Sequence, residues 1–302
     1  MSAAERESIL AELTPPFDIL QPVTQLAPFV VCSPHSGRTY PRVLIEASRL
    51  RPRALRKSED CFVDELFAAA PQLGLPLISA RFPRAYLDLN REPYELDPEL
   101  FREALPDYAN TQSVRVVGGL GTIARVVAEA EEIYREPLTL EAGLVRIEAL
   151  YKPFHAALAG LLEKTRQRFG LAVLIDCHSM PSATLIGGAQ STPRPDFVLG
   201  DRFGASCESR LTRFLREALG KLGYEVALNR PYAGGFITEH YGRPGLGVQA
   251  IQIEINRALY LNEEKFEKTR DFARLQRDLR GVMECLAREY PYVAKPRAAA
   301  AE

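Results

Sequence analysis

The stretch Val173-Leu174-Ile175-Asp176-Cys177-His178-Ser179-Met180-Pro181 decides the fold. An apolar run that turns polar without a break is the pattern of a strand buried on both faces, delivering side chains to one rim of a parallel sheet. The pattern recurs in Phe29-Val30-Val31-Cys32, followed by Ser33-Pro34-His35-Ser36-Gly37, and in Ala250-Ile251-Gln252-Ile253-Glu254-Ile255, followed by Asn256-Arg257. Leu75-Pro76-Leu77-Ile78-Ser79-Ala80 reads as a fourth strand, begun at a sheet margin because of its proline, and Val226-Ala227-Leu228 as a fifth. Helical patterns fill the intervals 58–73, 138–169, 206–222 and 263–289. In the first of these Ser58 suits an N-cap and Glu59 and Asp60 a first turn, with Phe62, Leu66, Phe67 and Ala70 on one face. Strands alternating with helices predict an α/β fold of three layers, α/β/α, around a mixed, mostly parallel sheet. Its ligand crevice is expected beyond the carboxyl ends of the strands.

Outward from these runs, 302 residues with 46% hydrophobic and 25% charged side chains are enough to bury a large core. No Pro/Gly/Ser-rich linker divides the chain, so one catalytic domain over 1–302 is expected, with its core at about 25–290 and a frayed tail from Ala294. The 38 Lys and Arg nearly cancel the 39 Asp and Glu, which leaves no global field to attract nucleic acid or an anionic membrane. Met1-Ser2-Ala3-Ala4-Glu5-Arg6-Glu7 lacks a secretory pattern and no run of eighteen apolar residues occurs, so a cytoplasmic protein is expected. Cys32, Cys61, Cys177, Cys207 and Cys285 are odd in number and never form C-x-x-C, against a disulfide framework or a cysteine-bound structural zinc. Nothing in the pattern speaks to oligomeric state.

Only four histidines are present, and His35 and His178 both stand just past expected strands. One such histidine is commonly structural; two at one rim point to a shared metal, because neutral imidazole is the usual nitrogen ligand of zinc and a catalytic site takes three protein ligands. His155, in a helical stretch, reads as structural, and His240 falls in a loop. A carboxylate should complete the set. Asp60 and Asp64 lie one turn apart on the expected helix, Asp60 nearer the rim and Asp64 the alternative, while a helix dipole would equally favour acidic residues there. Glu254 interrupts an apolar strand, where a carboxylate is costly unless paired or used; a base that moves a proton from water to a leaving nitrogen fits, and an ion pair with Arg257 or another arginine is the bland reading. Arg84 and Arg91, in Arg81-Phe82-Pro83-Arg84-Ala85-Tyr86-Leu87-Asp88-Leu89-Asn90-Arg91, offer guanidinium groups for an acidic substrate. Asn256 and Arg257 supply a second carboxylate clamp or cap the strand. No G-x-G-x-x-G, P-loop or G-x-S-x-G spacing occurs, so neither a nucleotide cofactor nor a serine hydrolase is implied.

In order along the chain, Ser33-Pro34-His35-Ser36-Gly37, Glu59-Asp60-x-x-Val63-Asp64-Glu65-Leu66-Phe67, Asp88-Leu89-Asn90-Arg91, Cys177-His178-Ser179-Met180-Pro181, Asp196-Phe197-Val198-Leu199-Gly200-Asp201 and Gln252-Ile253-Glu254-Ile255-Asn256-Arg257 together resemble the N-formylglutamate amidohydrolases. The resemblance implies a fold similar to the zinc carboxypeptidases and aspartoacylases, one bound zinc ion, and hydrolysis of N-formyl-L-glutamate to formate and L-glutamate in histidine degradation. In that wider superfamily a ligand glutamate follows the first histidine by three residues; Arg38 stands there here, which moves the carboxylate to Asp60 or Asp64. Asp-Leu-Asn-Arg is similar to the substrate-carboxylate site of aspartoacylases, implying that role for Asn90 and Arg91, and Glu254 matches the superfamily's catalytic glutamate. The expectation is therefore zinc on His35, His178 and Asp60, Glu254 as base and then acid, Arg84 at the oxyanion, and Asn90, Arg91, Asn256 and Arg257 on the acidic substrate. A different N-acyl amino acid or peptide amide is the alternative substrate, and a non-catalytic module that binds an acidic metabolite the reading from another class.

Overall fold

The three apolar runs form the centre of a seven-stranded sheet in the computed structural model, which describes residues 2–127, 130–184, 192–193 and 195–294. Its strands are β1 (Phe17–Leu20), β2 (Phe29–Ser33), β3 (Leu77–Ala80), β4 (Ala172–Met180), β5 (Phe197–Gly200), β6 (Val226–Leu228) and β7 (Val248–Asn256), in the order β1-β3-β2-β4-β7-β5-β6. The inner four, β3, β2, β4 and β7, are mutually parallel. β1 runs antiparallel to β3, and β5 antiparallel to β7 with β6 parallel to β5. The sheet is thus mixed and mostly parallel, as expected.

Strand alternation sends successive side chains to opposite faces, and each face has its own core. Val30, Cys32, Ile78, Leu174 and Ala250 pack with Phe154, Leu158 and Leu162 of the helix Lys152–Phe169. Phe29, Val31, Val173, Ile175, Ile251 and Ile253 pack with Leu211 and Leu215 of the helix Ser209–Lys221 and with Leu275, Leu279 and Leu286 of the helix Phe272–Ala294. Helices on both faces make the three layers. None of the described helices is long and apolar enough to cross a membrane. The five cysteines are free thiols, four of them buried.

Several local expectations fail for identifiable reasons. β3 is not marginal, because the half-buried strand Phe17-Asp18-Ile19-Leu20, too polar to register as an apolar run, pairs outside it. Pro76 sits just before β3, and its carbonyl accepts from Val31 N at 2.9 Å, so the missing proline N–H leaves no gap in the ladder. The helix expected over 58–73 is broken into a 3-10 turn Arg56–Ser58, one α-turn Val63–Leu66 and a 3-10 turn Ala70–Leu73. Phe62 takes a left-handed φ of 62°, which no helix tolerates, and Ser58 Oγ turns back to Leu55 O instead of capping. Asp60 therefore precedes the helical turn, and its N–H is fixed by His35 O at 3.0 Å. The helix expected over 138–169 runs from Leu140 to Phe169, with a π-turn Ile147–Tyr151 where Pro153 has no N–H to donate. Residues 261–268 make a small hairpin and the last helix starts only at Phe272. The tail 295–302 lies outside the described residues.

Candidate metal centre and active site

The parallel register sets the site. In β4 and β7, His178 is the cross-strand neighbour of Glu254 and Asp176 of Gln252, so four polar side chains stand at the carboxyl ends of two otherwise apolar strands. His35 lies two residues beyond β2, the neighbour of β4 on its other side. Gly37 is needed in that turn, since a Cβ there would sit 2.1 Å from Phe82 O. The two imidazole rings are 4.8 Å apart, centre to centre.

Asp60 Oδ2 lies between them, 3.1 Å from His178 Nδ1 and 3.5 Å from His35 Nδ1. Each ring presents its other nitrogen to a carboxylate: His35 Nε2 is 2.8 Å from Asp88 Oδ1, and His178 Nε2 is 2.9 Å from Asp176 Oδ1. On His35 a proton on Nε2 leaves the Nδ1 lone pair facing inward. His35 Nδ1 is buried and has no hydrogen bond. His35, Asp60 and His178 are all buried, with one ligand atom each within 4.8 Å of one another, and this group can hold a metal ion. An inward lone pair without a partner, two imidazoles and one carboxylate are the donor chemistry that suits a divalent transition metal. Burial would raise the pKa of Asp60, but the hydrogen bond with His178 and the closeness of both imidazoles hold it well below the usual carboxylate range. Burial likewise opposes a charge on His178, yet Asp176 and Asp60 raise its pKa well above that of free imidazole.

Asp60 is oriented by Arg257. Arg257 Nη2 meets Asp60 Oδ1 at 3.2 Å, its Nε donates to Ser179 Oγ at 3.2 Å and its Nη1 to Lys57 O at 3.1 Å. The structure thus gives Arg257 to the ligand carboxylate, and the ion pair considered between Arg257 and Glu254 does not form. Asn256 caps the next turn, accepting from Ala258 N at 3.0 Å and donating to Pro195 O at 3.2 Å, and it lines neither cavity described below. Asp64 stands apart from the cluster, 2.8 Å from Arg38.

Glu254 is buried beside the cluster, and Gln252 Nε2 donates to its Oε1 at 2.8 Å. Burial first, then the charges of Asp60 and Asp176, push its carboxyl up to about 7 against the pull of His178 and Arg84. Asp88 joins His35 to the arginines: besides His35 it binds Arg84 Nη2 at 2.7 Å, approaches Arg91 Nη2 at 3.8 Å and accepts from Asn90 N at 2.8 Å. Asn90 Oδ1 is fixed by Ile237 N at 2.7 Å, and its Nδ2 lies 3.3 Å from His178 Nε2.

Two cavities adjoin at this point. One, of about 400 Å³, runs past Asp60, Lys57, Ser179 and Arg257 toward an apolar wall of Leu120, Ala124 and Val126. The other, of about 350 Å³, holds His35, His178, Asn90, Gln252, Arg115 and Arg202. Arg84, Arg91, Tyr232 and Glu254 line both.

With the geometry in hand, comparison with known proteins decides the family. The family model described as N-formylglutamate amidohydrolase matches residues 27–261. The chain belongs to the N-formylglutamate amidohydrolase family. An N-formylglutamate deformylase of Pseudomonas putida is 31% identical over 255 residues, 82% of this chain and 86% of that protein. One from Pseudomonas aeruginosa is 28% identical over 78% of this chain and 83% of its own length. The crystal structure of an N-formylglutamate amidohydrolase from Ralstonia eutropha JMP134 superposes with a TM-score of 0.85 at 36% identity, covering 93% of this chain and 99% of that one. Membership in this amidohydrolase family makes the chain an enzyme that acts on amides.

Sequence reasoning brought His35, Asp60, His178, Glu254, Arg84, Asn90 and Arg91 to one place, but missed Asp88, Asp176 and Gln252 beside them and Arg115, Arg202 and Tyr232 in the cavity lining. Asp176 carries the same signal as Glu254, a charge inside an apolar strand. The loop residues carry none, because nothing in their local pattern says which way they face.

Proposed function

We propose that the chain hydrolyses N-formyl-L-glutamate to formate and L-glutamate with one zinc ion on His35 Nδ1, Asp60 and His178 Nδ1. The observation that carries the reading is the group His35, Asp60 and His178 beside a buried glutamate whose carboxyl is pushed up to about 7. The substrate is the one named for the Pseudomonas relatives. When bound, zinc supplies Lewis acidity, which polarises a carbonyl and makes water a stronger acid. Glu254 takes the proton of the attacking water as the C–O bond forms, and returns it to the nitrogen as the C–N bond breaks. A carboxyl with a pKa near 7 suits both directions of that transfer at neutral pH. Arg84, held by Asp88 yet facing both cavities, stands ready for the negative oxygen of the tetrahedral intermediate.

Arg91 takes the α-carboxylate with Asn90. Burial, and after it the like charges of Arg84 and Arg115, lower the pKa of Arg91 to about 10 although Asp88 opposes them, so an incoming carboxylate relieves a strained cation. Asn256 is occupied by the backbone, while Arg257 lines the first cavity and acts chiefly by holding Asp60. The test is formate release from N-formyl-L-glutamate by purified protein, before and after chelation, with zinc added back. Turnover lost on chelation and restored by zinc is expected; metal-loaded protein that releases no formate overturns the assignment.

A further inference from the structure

Four guanidinium groups, those of Arg84, Arg91, Arg115 and Arg202, line the cavity that holds the two histidines. Three have protein partners. Arg84 and Arg91 share Asp88, and Arg91 also donates to Leu120 O and Asn90 O at 2.9 Å. Arg202 pairs with Glu239 at 2.7 Å and donates to Gly234 O at 3.3 Å. Arg115 has neither a hydrogen bond nor an ion pair among the described residues; its one recorded influence is the like charge it exerts on Arg91.

The position of Arg115 is nonetheless built. It stands in the short turn of helix Val114–Val117, whose start is capped by Ser113 Oγ on Val116 N at 3.1 Å. Arg115 O accepts from Leu120 N at 2.7 Å, and Arg91 Nε grips Leu120 O from the other side, so the segment is fastened at both ends of its turn. Gly119 permits this with a φ of 73°. A half-buried cation, held by its backbone and left without a counter-charge close to the Arg91 cation, favours the arrival of an anion.

We infer that Arg115 is the specificity residue for the side-chain carboxylate of the substrate, the group that separates glutamate from its neutral analogues. The inference rests on the proposed substrate orientation, in which Arg91 holds the α-carboxylate and the amide lies toward Glu254. A substrate with two carboxylates needs two guanidinium sites at this end. Arg115 is the one that no acid neutralises among the described residues.

The experiment compares wild type with Arg115→Gln, Arg115→Lys and Arg202→Gln. Hydrolysis of N-formyl-L-glutamate and N-formyl-L-glutamine is measured by formate release, and binding of L-glutamate and L-glutamine to the zinc-loaded protein by calorimetry. Arg115→Gln is expected to reduce the preference for glutamate over glutamine by about 10- to 100-fold, chiefly through KM, the range for losing a hydrogen bond to a charged group. Arg115→Lys should regain part of that preference. An equal loss on both substrates, or a preference that disappears in Arg202→Gln and survives in Arg115→Gln, overturns the inference. Should wild type release no formate from either compound, the calorimetry still decides: an L-glutamate preference that depends on Arg115 keeps this assignment while the proposed reaction falls, and one that ignores Arg115 removes it.

Discussion

The site has two halves of different construction. His178, Asp176, Gln252 and Glu254 stand on β4 and β7, where a parallel register fixes them to one another. Arg84, Asp88, Asn90, Arg91 and Arg115 stand on the long excursion between β3 and the helix Leu140–Arg146, and are placed by side-chain contacts with carbonyls and with each other. In the proposed mechanism the strand half carries the acid–base chemistry, and its geometry is set by backbone hydrogen bonds. The loop half carries positive charge, and its geometry depends on Asp88, which touches His35, Arg84 and the backbone of Asn90 at once. A rigid scaffold with recognition on loops is a general division of labour; here Asn90 of the loop half meets the strand half, its Nδ2 3.3 Å from His178 Nε2.

The largest effect is expected where both halves meet the metal. Asp60→Ala removes a ligand and leaves the buried Arg257 guanidinium without its carboxylate. Formate release should fall below detection and bound zinc, by elemental analysis, should drop toward zero. Loss of one member of such a buried pair also costs about 3–5 kcal/mol of stability, read by denaturant unfolding. A variant that keeps zinc and activity would remove Asp60 from the centre.

Next is the strand half alone. Glu254→Gln keeps the hydrogen-bonding shape but cannot carry a proton, so kcat should fall by about 10²- to 10⁴-fold with zinc content unchanged. Retained turnover would show that proton transfer does not pass through Glu254.

How much of this was legible in the sequence follows the same division. Phe29-Val30-Val31-Cys32, Val173 to Cys177 and Ala250 to Ile255 announce parallel strands because burial on both faces forces continuous apolar runs, and the side chains at their ends could be placed at one rim. β1 and β5 were not legible: the first is half-exposed and breaks its run with Asp18, and the second returns antiparallel where connection length alone suggests nothing. Asp60 was found for the wrong local reason, since it precedes a broken helix and is aimed by Arg257 from a strand end nearly two hundred positions later, in the range about 60 to about 257. Asn256 looked like a substrate contact and is a cap, because a turn of the chain after β7 claims its amide. Arg115 gave no signal, as only the folded loop reveals which cations are left without partners.

The loop half also depends on a histidine that must stay neutral. His155 Nε2 donates to Leu89 O at 3.0 Å and Nδ1 takes the Tyr241 hydroxyl at 2.9 Å, which fastens the segment next to Asn90. Burial lowers the His155 pKa from 6.5 to about 4, with His240 adding to the effect and the Leu89 carbonyl opposing it. Between those values the unfolded chain binds the proton and the native one does not. Stability from this group is therefore full above pH 6.5 and is lost as pH falls toward 4, by about 3 kcal/mol in all. Denaturant unfolding from pH 7.5 to 4 should show this slope in wild type and a shallower one in His155→Gln; equal slopes would mean the ring is solvated.

The smallest expected effect separates the two carboxylates behind the histidines. Asp88 and Asp176 lie at nearly the same distance from their imidazoles, 2.8 and 2.9 Å, one on the loop and one on the strand. If orienting the imidazole were the whole role of each, Asp88→Asn and Asp176→Asn would weaken zinc alike, by about 10- to 100-fold. Asp88 also holds Arg84 and Asn90, so Asp88→Asn should in addition raise KM for the acidic substrate, whereas Asp176, whose other contact is Thr238 Oγ1 at 3.3 Å, should change zinc affinity and leave KM of the zinc-loaded enzyme near that of wild type. Zinc titration and steady-state kinetics on the two variants measure these separately. A KM change in Asp176→Asn as large as in Asp88→Asn would mean that the strand half also positions substrate, and that the division between chemistry on strands and recognition on loops does not hold.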